Sequence, residues 1–488
     1  MKLPPPRQPG ALQRQEAHGP VPGAARPDTE AVPMPELIFN FDVEDYISPH
    51  ADDTTKELAL ILTRAGIRGC FHVVGEKARQ LCLRGRGDVI AALQPHEIGY
   101  HSRLHSFHPT IAEYCDTPIF ADGLARFLLE ESAGLAEVRR VFGADRVWAA
   151  SPPGDSSCVT GFYGYSLLGV PITAGSPLCG AGGEKAWIAR SLQVPYNLFA
   201  DSILINGGLD TLRRELENRG DHATVGLCVH PTALGHTGWW DTLNFAEGKN
   251  VPRDRWRLPP RRPAEEESRL LEDFARIVDA VARDRRFEII TYEQVWSRYG
   301  DAHRPAFTAA ETARQLVARA AVRLDSYAAD GRFYSPAEIF GLALRLAACP
   351  GTDPTDGSVP LCGLLGPVEE IQDAPHAVTM ESRAVRVAAA NLLAELGDFM
   401  PASVAVGDAR LGPGTFLRAI AQVLAGASPV RSQPGENYPR VLDHPEIRDH
   451  RYAGAWLFRA DWPGEHNRRY WRGQSWSVRP AGRAGASP

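Results

Sequence analysis

Residues 38–46 read Ile38-Phe39-Asn40-Phe41-Asp42-Val43-Glu44-Asp45-Tyr46, an apolar run that ends in three acids. Carboxylates at the end of a buried strand must be paired, solvated or bound to a cation, because an isolated buried charge is costly. Side chains alternate along a strand, so Asp42 and Glu44 share one face while Val43 and Asp45 take the other. If the first face looks into the mouth of a barrel, two carboxylates stand side by side. One can bind a metal and the other can accept a proton.

Outward from this stretch, residues 35–299 alternate short apolar runs with longer amphipathic ones. The pattern predicts strands at 37–41, 70–74, 97–100, 147–150, 170–174, 224–229 and 288–291. Helices are expected between them at 54–65, 124–142, 209–218 and 265–284. Such alternation implies a parallel sheet or barrel, with polar residues at the strand ends lining its carboxyl-end mouth.

A second constellation, His96-Glu97-Ile98-Gly99-Tyr100-His101-Ser102-Arg103-Leu104-His105, carries histidines four apart. At that spacing His101 and His105 would fall on one helical face and could bind the same ion. Alone the pair is a weak signal. Together with the acidic strand it supplies two imidazoles and a carboxylate, which leaves open positions for water and substrate. A third run, Thr224-Val225-Gly226-Leu227-Cys228-Val229-His230-Pro231, ends a β-rich segment in a histidine. By itself His230 reads equally as a general acid or as a polar cap on the strand, and Asp201 is its possible partner. Trp239 and Trp240 follow and could wall a substrate site or simply pack. His50, His108 and His236 read as hydrogen-bonded loop residues. Arg253, Arg255, Arg257, Arg261 and Arg262 crowd one loop, which could meet an anionic substrate but reads better as a solvated basic loop facing Glu265–Glu267.

The motif FDVEDY at 41–46 followed by HEIGYHSRLH at 96–105 resembles the first two motifs of the polysaccharide deacetylase family, carbohydrate esterase family four with NodB homology. Between them, CFHVVGE at 70–76 is similar to the family's second strand. The resemblance covers about 35–300 and implies a distorted (β/α) barrel. It also implies a hydrolase that removes an acetyl or similar acyl group from the amide nitrogen of an N-acetylated sugar or glycoconjugate. In those terms Asp42 is the catalytic base, Glu44, His101 and His105 hold one divalent metal ion, and His230 is the acid. Zinc is the expected ion for two imidazoles and a carboxylate. The third motif departs from the family. In Trp148-Ala149-Ala150-Ser151-Pro152-Pro153-Gly154-Asp155-Ser156 the turn is kept, and Pro153 and Gly154 are expected at the substrate site. Ala150 or Ser151 stands where the family has a base-orienting arginine, which leaves Arg103 or Arg146 to supply that charge from elsewhere. Three alternatives stay open: hydrolysis of another linear or cyclic amide, which the missing arginine favours; a degenerate carbohydrate-binding protein without turnover; and an oligomer scaffold in which the helical region only packs.

The chain has 488 residues, too many for one core, so at least two domains are expected. Residues 1–34 are rich in Pro, Gly and Ala and read as disordered, with Met34 an alternative start. After 301 the texture turns Ala- and Arg-rich, and 301–426 reads as a mainly α-helical accessory domain. Ser335-Pro336-Ala337-Glu338 starts one helix with a capping box, and a similar unit at Pro413 suggests an imperfect duplication. The run at 399–424 is faintly similar to pseudomurein-binding repeats, too briefly to imply a function. The remainder, 427–488, holds Trp456, Trp462, Trp471 and Trp476 among arginines, and packing explains it better than sugar stacking. A formal net charge of −6 gives no reason to expect nucleic acid as a partner. Neither a run of ~20 apolar residues nor a 7–15-residue secretory core is present, and the eight cysteines include no C-x-x-C pair. The expectation is a cytoplasmic enzyme acting on a small-molecule or oligosaccharide substrate.

Overall fold

The first strand, β1 (Glu36–Val43), is buried along its whole length and has two different faces. The structure is a computed structural model that describes residues 34–155, 158–175, 178–180, 182–301, 306–348, 357–439 and 457–482. The N-terminal segment up to residue 33, Ser156 and Trp456, on which the sequence raised expectations, lie outside the described residues. Leu37, Phe39, Phe41 and Val43 point to a core shared with the covering helices, whereas Ile38 points to a second core inside the sheet. This is the alternation that a period of two imposes on a strand buried on both sides.

β1 runs parallel to β2 (Cys70–Val73), β9 (Thr224–Val229) and β10 (Glu288–Ile289). Beyond β2 the sheet continues in parallel through β3 (Glu97–Tyr100), β4 (Ala149–Ala150), β5 (Ile172–Ala174) and β7 (Ser191–Val194). Beyond β9 lies β8 (Leu198–Phe199). β7 runs through Pro195, Tyr196 and Asn197 straight into β8, so the two flanks of the sheet are joined by one stretch of chain. Asn197 secures the join: its backbone N–H donates to Gly226 O at 3.2 Å and its Oδ1 accepts from Gly226 N at 3.0 Å. The sheet is thereby curled into a distorted barrel, as the alternating pattern led one to expect. Two antiparallel additions were not foreseen, β6 (Ala186–Ile188) on β7 and the C-terminal pair Arg479–Pro480 on β6.

Helices His50–Arg64, Phe120–Phe142 and Ala264–Arg283 cover the outside. Phe41 stacks on Phe71 with centroids 4.4 Å apart and meets Phe274 edge-on at 5.9 Å. Each such ring removed from water contributes roughly 1.5–3 kcal/mol.

Residues 307–432 build a separate apolar cluster around Leu316, Phe340, Leu344, Phe416 and Ile420. The region is not simply helical. It repeats one unit twice: a short strand, a helix, a two-stranded hairpin, a second helix and a closing strand. In the first copy helices Ala310–Val322 and Pro336–Ala348 flank the hairpin 327–334, and strands Phe307–Ala309 and Ser358–Pro360 pair antiparallel. In the second, Ser382–Glu395 and Pro413–Leu424 flank the hairpin 404–411, and Val378–Met380 pairs with Val430–Ser432. Hairpins of three residues a side are too short to announce themselves in the sequence. The capping box at Ser335 forms as read, with Ser335 N donating to Glu338 Oε2 at 2.8 Å.

The C-terminal segment packs. Trp471 meets Phe162 of the barrel edge-on at 5.4 Å, and Trp476 meets Phe340 of the repeats at 6.1 Å. The Trp476 indole donates to Asn437 O at 2.9 Å. Among the described residues no helix is long and apolar enough to cross a membrane.

Candidate active site

The inner face of β1 delivers Asp42 at the carboxyl end, and Glu44 follows on the same side just past the strand. Asp45 turns away and accepts from Ile47 N, Ser48 N and Thr232 Oγ1 at 2.8–3.0 Å, so it caps the turn and does not meet the histidines.

His101 and His105 converge on Glu44, but not for the expected reason. Residues 101–105 form a loop after β3 and not a helical turn. Ser102 at φ 68° and His105 at φ 55° bend it through left-handed conformations, and His105 N donates to Ser102 Oγ at 2.9 Å. The two rings come to 5.1 Å between centroids. Strain of this kind at non-glycine residues costs of order 1–3 kcal/mol each and persists only where the surroundings enforce it.

Behind the loop, helix Phe120–Phe142 enforces it. The buried Glu131 carboxylate accepts Arg103 N at 3.1 Å, Tyr100 OH at 2.8 Å and Tyr114 OH at 3.0 Å. Burial, partly offset by these hydrogen bonds, pushes Glu131 up to about 7. Gly134, one turn along, lets the helix approach: a Cβ there would lie 2.8 Å from Arg103 Cα.

Glu44 Oε2 lies 2.9 Å from His105 Nε2 and 3.6 Å from His101 Nε2. One ligand atom from each of the three residues fits within 4.8 Å of the others. Both His101 ring nitrogens are buried without a hydrogen-bond partner. Orphaned buried imidazole nitrogens beside a carboxylate are what a cation site looks like from its donor atoms. Burial opposes the charge on Glu44, but His105 and then His101 outweigh it and hold the carboxyl well below the usual range. The Trp240 indole donates to Glu44 Oε1 at 3.2 Å. Asp241 stands 3.8 Å from His105 Nδ1, pushed up to about 8 by burial and by the charge of Glu44.

On the other side of Asp42 stands His230, with Nε2 3.6 Å from Asp42 Oδ2. Asp201 fixes it, accepting from His230 N at 2.8 Å and lying 2.7 Å from Nδ1. Burial disfavours charge on this imidazole, but Asp201, followed by Glu44 and Asp42, overrides it and pushes His230 up to about 10. Trp239 is partly exposed and meets the His230 ring edge-on at 5.3 Å.

Two sequence expectations need correction. Trp240 is fully buried behind Glu44, so it supports that carboxylate and cannot wall the substrate side. Neither candidate arginine reaches Asp42. Arg103 pairs with Glu130, and Arg146 lies 3.9 Å over the ring of Trp148. Asp42 is met instead by Tyr196 OH at 3.4 Å and the Cys228 thiol at 3.7 Å. Pro153 is buried, and Gly154 sits at φ 58° in the turn that follows β4. Ser151 N donates to Tyr100 O at 2.9 Å, which sets that turn beside the strand end leading to His101.

Of the other histidines read as loop residues, His50 instead opens the helix His50–Arg64 and lies 2.8 Å from Glu267, while His108 is engaged by Glu113 at 2.7 Å and His236 by Thr232 O at 3.2 Å. In the basic loop Arg262 pairs with Glu266 at 2.7 Å, while Arg253 lies 3.5 Å from Glu76 and its side chain is half exposed. Sequence reading passed over Tyr196, Cys228 and His72. The signal for two of them was present in the register, since Cys228 pairs with Asn40 and His72 with Asp42 across the sheet.

The fold and these side chains define an α/β barrel protein with a buried carboxylate–imidazole trio next to a carboxylate–histidine dyad. No family model matches the sequence, and no curated protein is significantly similar to it. Among solved structures the chain is similar to a family 4 carbohydrate esterase from Streptomyces lividans, at 12% identity and TM-score 0.30, over 53% of this chain and 94% of that one. It is similar to a CE4 family pseudoenzyme from Bacillus anthracis, at 12% identity and TM-score 0.28, over 41% and 57%. It is also similar to the 4-alpha-glucanotransferase of Thermococcus litoralis, at 11% identity and TM-score 0.37, over 55% and 40%. Likenesses this distant carry no chemistry to the chain, so a functional reading has to stand on its own side chains.

Proposed function

We propose that the protein is a metal-dependent hydrolase that removes an acetyl or similar acyl group from the amide nitrogen of an N-acetylated sugar or glycoconjugate. The observation that carries this reading is the buried trio Glu44, His101 and His105 set beside Asp42 and the Asp201-backed His230. The trio would hold one divalent ion, with zinc the best match to two imidazoles and a carboxylate. Such an ion supplies Lewis acidity toward a carbonyl and makes a water more acidic.

The residues divide the work. Asp42 accepts a proton from the attacking water, and Tyr196 OH, at 3.4 Å, orients its carboxylate. His230 holds its proton because Asp201 stabilises the imidazolium, and it gives that proton to the departing amine nitrogen. Trp239 offers an apolar edge beside His230 for a sugar face or an acyl methyl. A tyrosine where the sequence anticipates an arginine favours one second reading, hydrolysis of another linear or cyclic amide by the same residues.

Metal stoichiometry and acetate release from N-acetyl sugars, measured side by side on three variants, test the proposal. Asp42→Asn should stop turnover and keep the trio's ion. His101→Ala should lose both, and His230→Ala should keep the ion and lose ~10²–10⁴-fold in rate. Wild-type activity in Asp42→Asn refutes the mechanism. Metal retention in a wild type that hydrolyses no amide leaves a binding protein without turnover.

A further inference from the structure

Cys228 is fully buried on the inner face of β9, and its thiol points at the carboxylate of Asp42. One atom each from Asp42, Cys228 and His230 lies within 4.8 Å of the other two, a set distinct from Glu44, His101 and His105. The separations, 3.7 Å from sulfur to Asp42 Oδ2 and 3.6 Å from His230 Nε2 to the same oxygen, are close to the edges of a tetrahedral site. With metal–sulfur bonds of ~2.3 Å and metal–nitrogen or metal–oxygen bonds of ~2.0 Å, those edges come to about 3.3–3.5 Å. His230 is also prepared as a ligand. Asp201 engages its Nδ1, so Nε2 is the nitrogen left to face Asp42, and a carboxylate behind the far nitrogen is the usual support of a metal-bound imidazole. When the ion binds, the thiol and His230 Nε2 each give up a proton to solvent, and the thiolate and Asp42 charges then balance a divalent cation.

We propose that Asp42, Cys228 and His230 form a second cation site, selective for a thiol-preferring divalent ion such as zinc, adjacent to the first. Sulfur sets its preference: hard ions such as magnesium gain little from a thiolate, whereas zinc, cobalt and cadmium gain much. Its consequence rests on the hydrolase reading. An ion there occupies the base and the acid at once, so excess zinc inhibits the enzyme.

Cobalt(II) titrated into the metal-free protein tests the site independently of activity. Wild type should take up two ions, the second raising a near-ultraviolet sulfur-to-cobalt charge-transfer band. Cys228→Ala, Cys228→Ser and His230→Ala should each take up one ion and lack the band. His101→Ala should lose an ion but keep it. Asp201→Asn should weaken the second ion by about 10–100-fold. Circular dichroism separates lost ligands from lost folding, and with two replacements at Cys228 at least one folded variant is available. Uptake of a single ion by wild type, or a band that survives in folded Cys228→Ala, overturns the site. Where acetate release is measurable, the zinc concentration for half inhibition should rise about 10–100-fold in Cys228→Ala. If inhibition persists there, the inhibitory role falls while the spectroscopic site stands. If no amide is hydrolysed at all, the hydrolase reading falls and the band still decides the site.

Discussion

Asp201 is buried and is not one of the Glu44, His101 and His105 trio, yet it decides the protonation of His230 from 2.7 Å away. An imidazole held near 10 is charged throughout the neutral range and loses its proton only as the pH approaches that value. Asp201→Asn removes the charge that holds it there. Its rate should fall by ~10²–10³-fold, and the alkaline limb of the rate profile should move to lower pH. An unchanged alkaline limb would mean that another group supplies the proton. Tyr196 is the neutral substitute for an expected cation at Asp42, and Tyr196→Phe removes only one long hydrogen bond. That variant should lose about 1 kcal/mol of transition-state stabilisation, roughly fivefold in kcat/KM, with kcat carrying the loss.

At the scale of elements, the loop 101–105 is shaped by the helix behind it. In an exposed helix, glycine to alanine gains about 0.5–1 kcal/mol. Gly134→Ala should do the opposite, because its Cβ would lie 2.8 Å from Arg103 Cα and 2.9 Å from Arg103 Cβ. Overpacking of that kind costs roughly 1–3 kcal/mol. Urea denaturation should show the loss, and the metal affinity of the trio should weaken with it as Arg103 shifts. A more stable Gly134→Ala would show that the helix can move away without disturbing the loop. Glu131, on the same helix, stands at about 7 against an ordinary 4.5, so the folded state keeps a proton that the unfolded chain releases in that window. Its contribution to stability therefore falls as the pH rises from 4.5 to about 7, by at most about 3 kcal/mol. Glu131→Gln does not titrate and keeps acceptor capacity for the tyrosines. Relative to wild type it should gain stability steadily across that window, as read from urea midpoints at several pH values.

For the whole molecule, the barrel and the duplicated region keep separate cores, and the chain end binds them together. Asp398 of the repeats pairs with Arg190 and accepts from Tyr163 OH, both at 2.6 Å. Trp471 presses on the barrel at Phe162 while Trp476, five residues on, enters the repeat core at Phe340. Trp476→Ala should cost about 3–5 kcal/mol, the usual range for a buried tryptophan, and leave the metal content of the folded protein unchanged. Thermal unfolding checks this: the repeat region should melt first, as a separate transition. A single transition shifted by less than ~1 kcal/mol would show that the segment only rests on the surface.

Local pattern was enough to set the faces of the strands. The alternation in 38–46 separates Asp42 and Glu44 from Val43 and Asp45 without reference to anything distant, because pleating alone imposes it. Strands 97–100 and 224–229 were legible at their observed bounds for the same reason, being apolar runs between turn residues. The chain also announced that His101 and His105 belong together, but a helical period was the wrong cause. Two left-handed residues in a loop held by Glu131 achieve it, and a hydrogen bond from a helix 28 residues on leaves no periodic trace. The partners of Asp42 are likewise set by closure of the barrel. Tyr196 and Cys228 reach it because β7 runs on into β8 and β9 lies beside β1. Trp240 faces Glu44 and not the substrate side because the short helix Trp240–Asn244 packs its indole under that carboxylate. The sequence by itself determined which side chains point inward, since that is a property of neighbouring residues. Only the tertiary structure decided which of them meet, since convergence depends on where segments separated by some 30 to 200 residues are carried when the sheet closes.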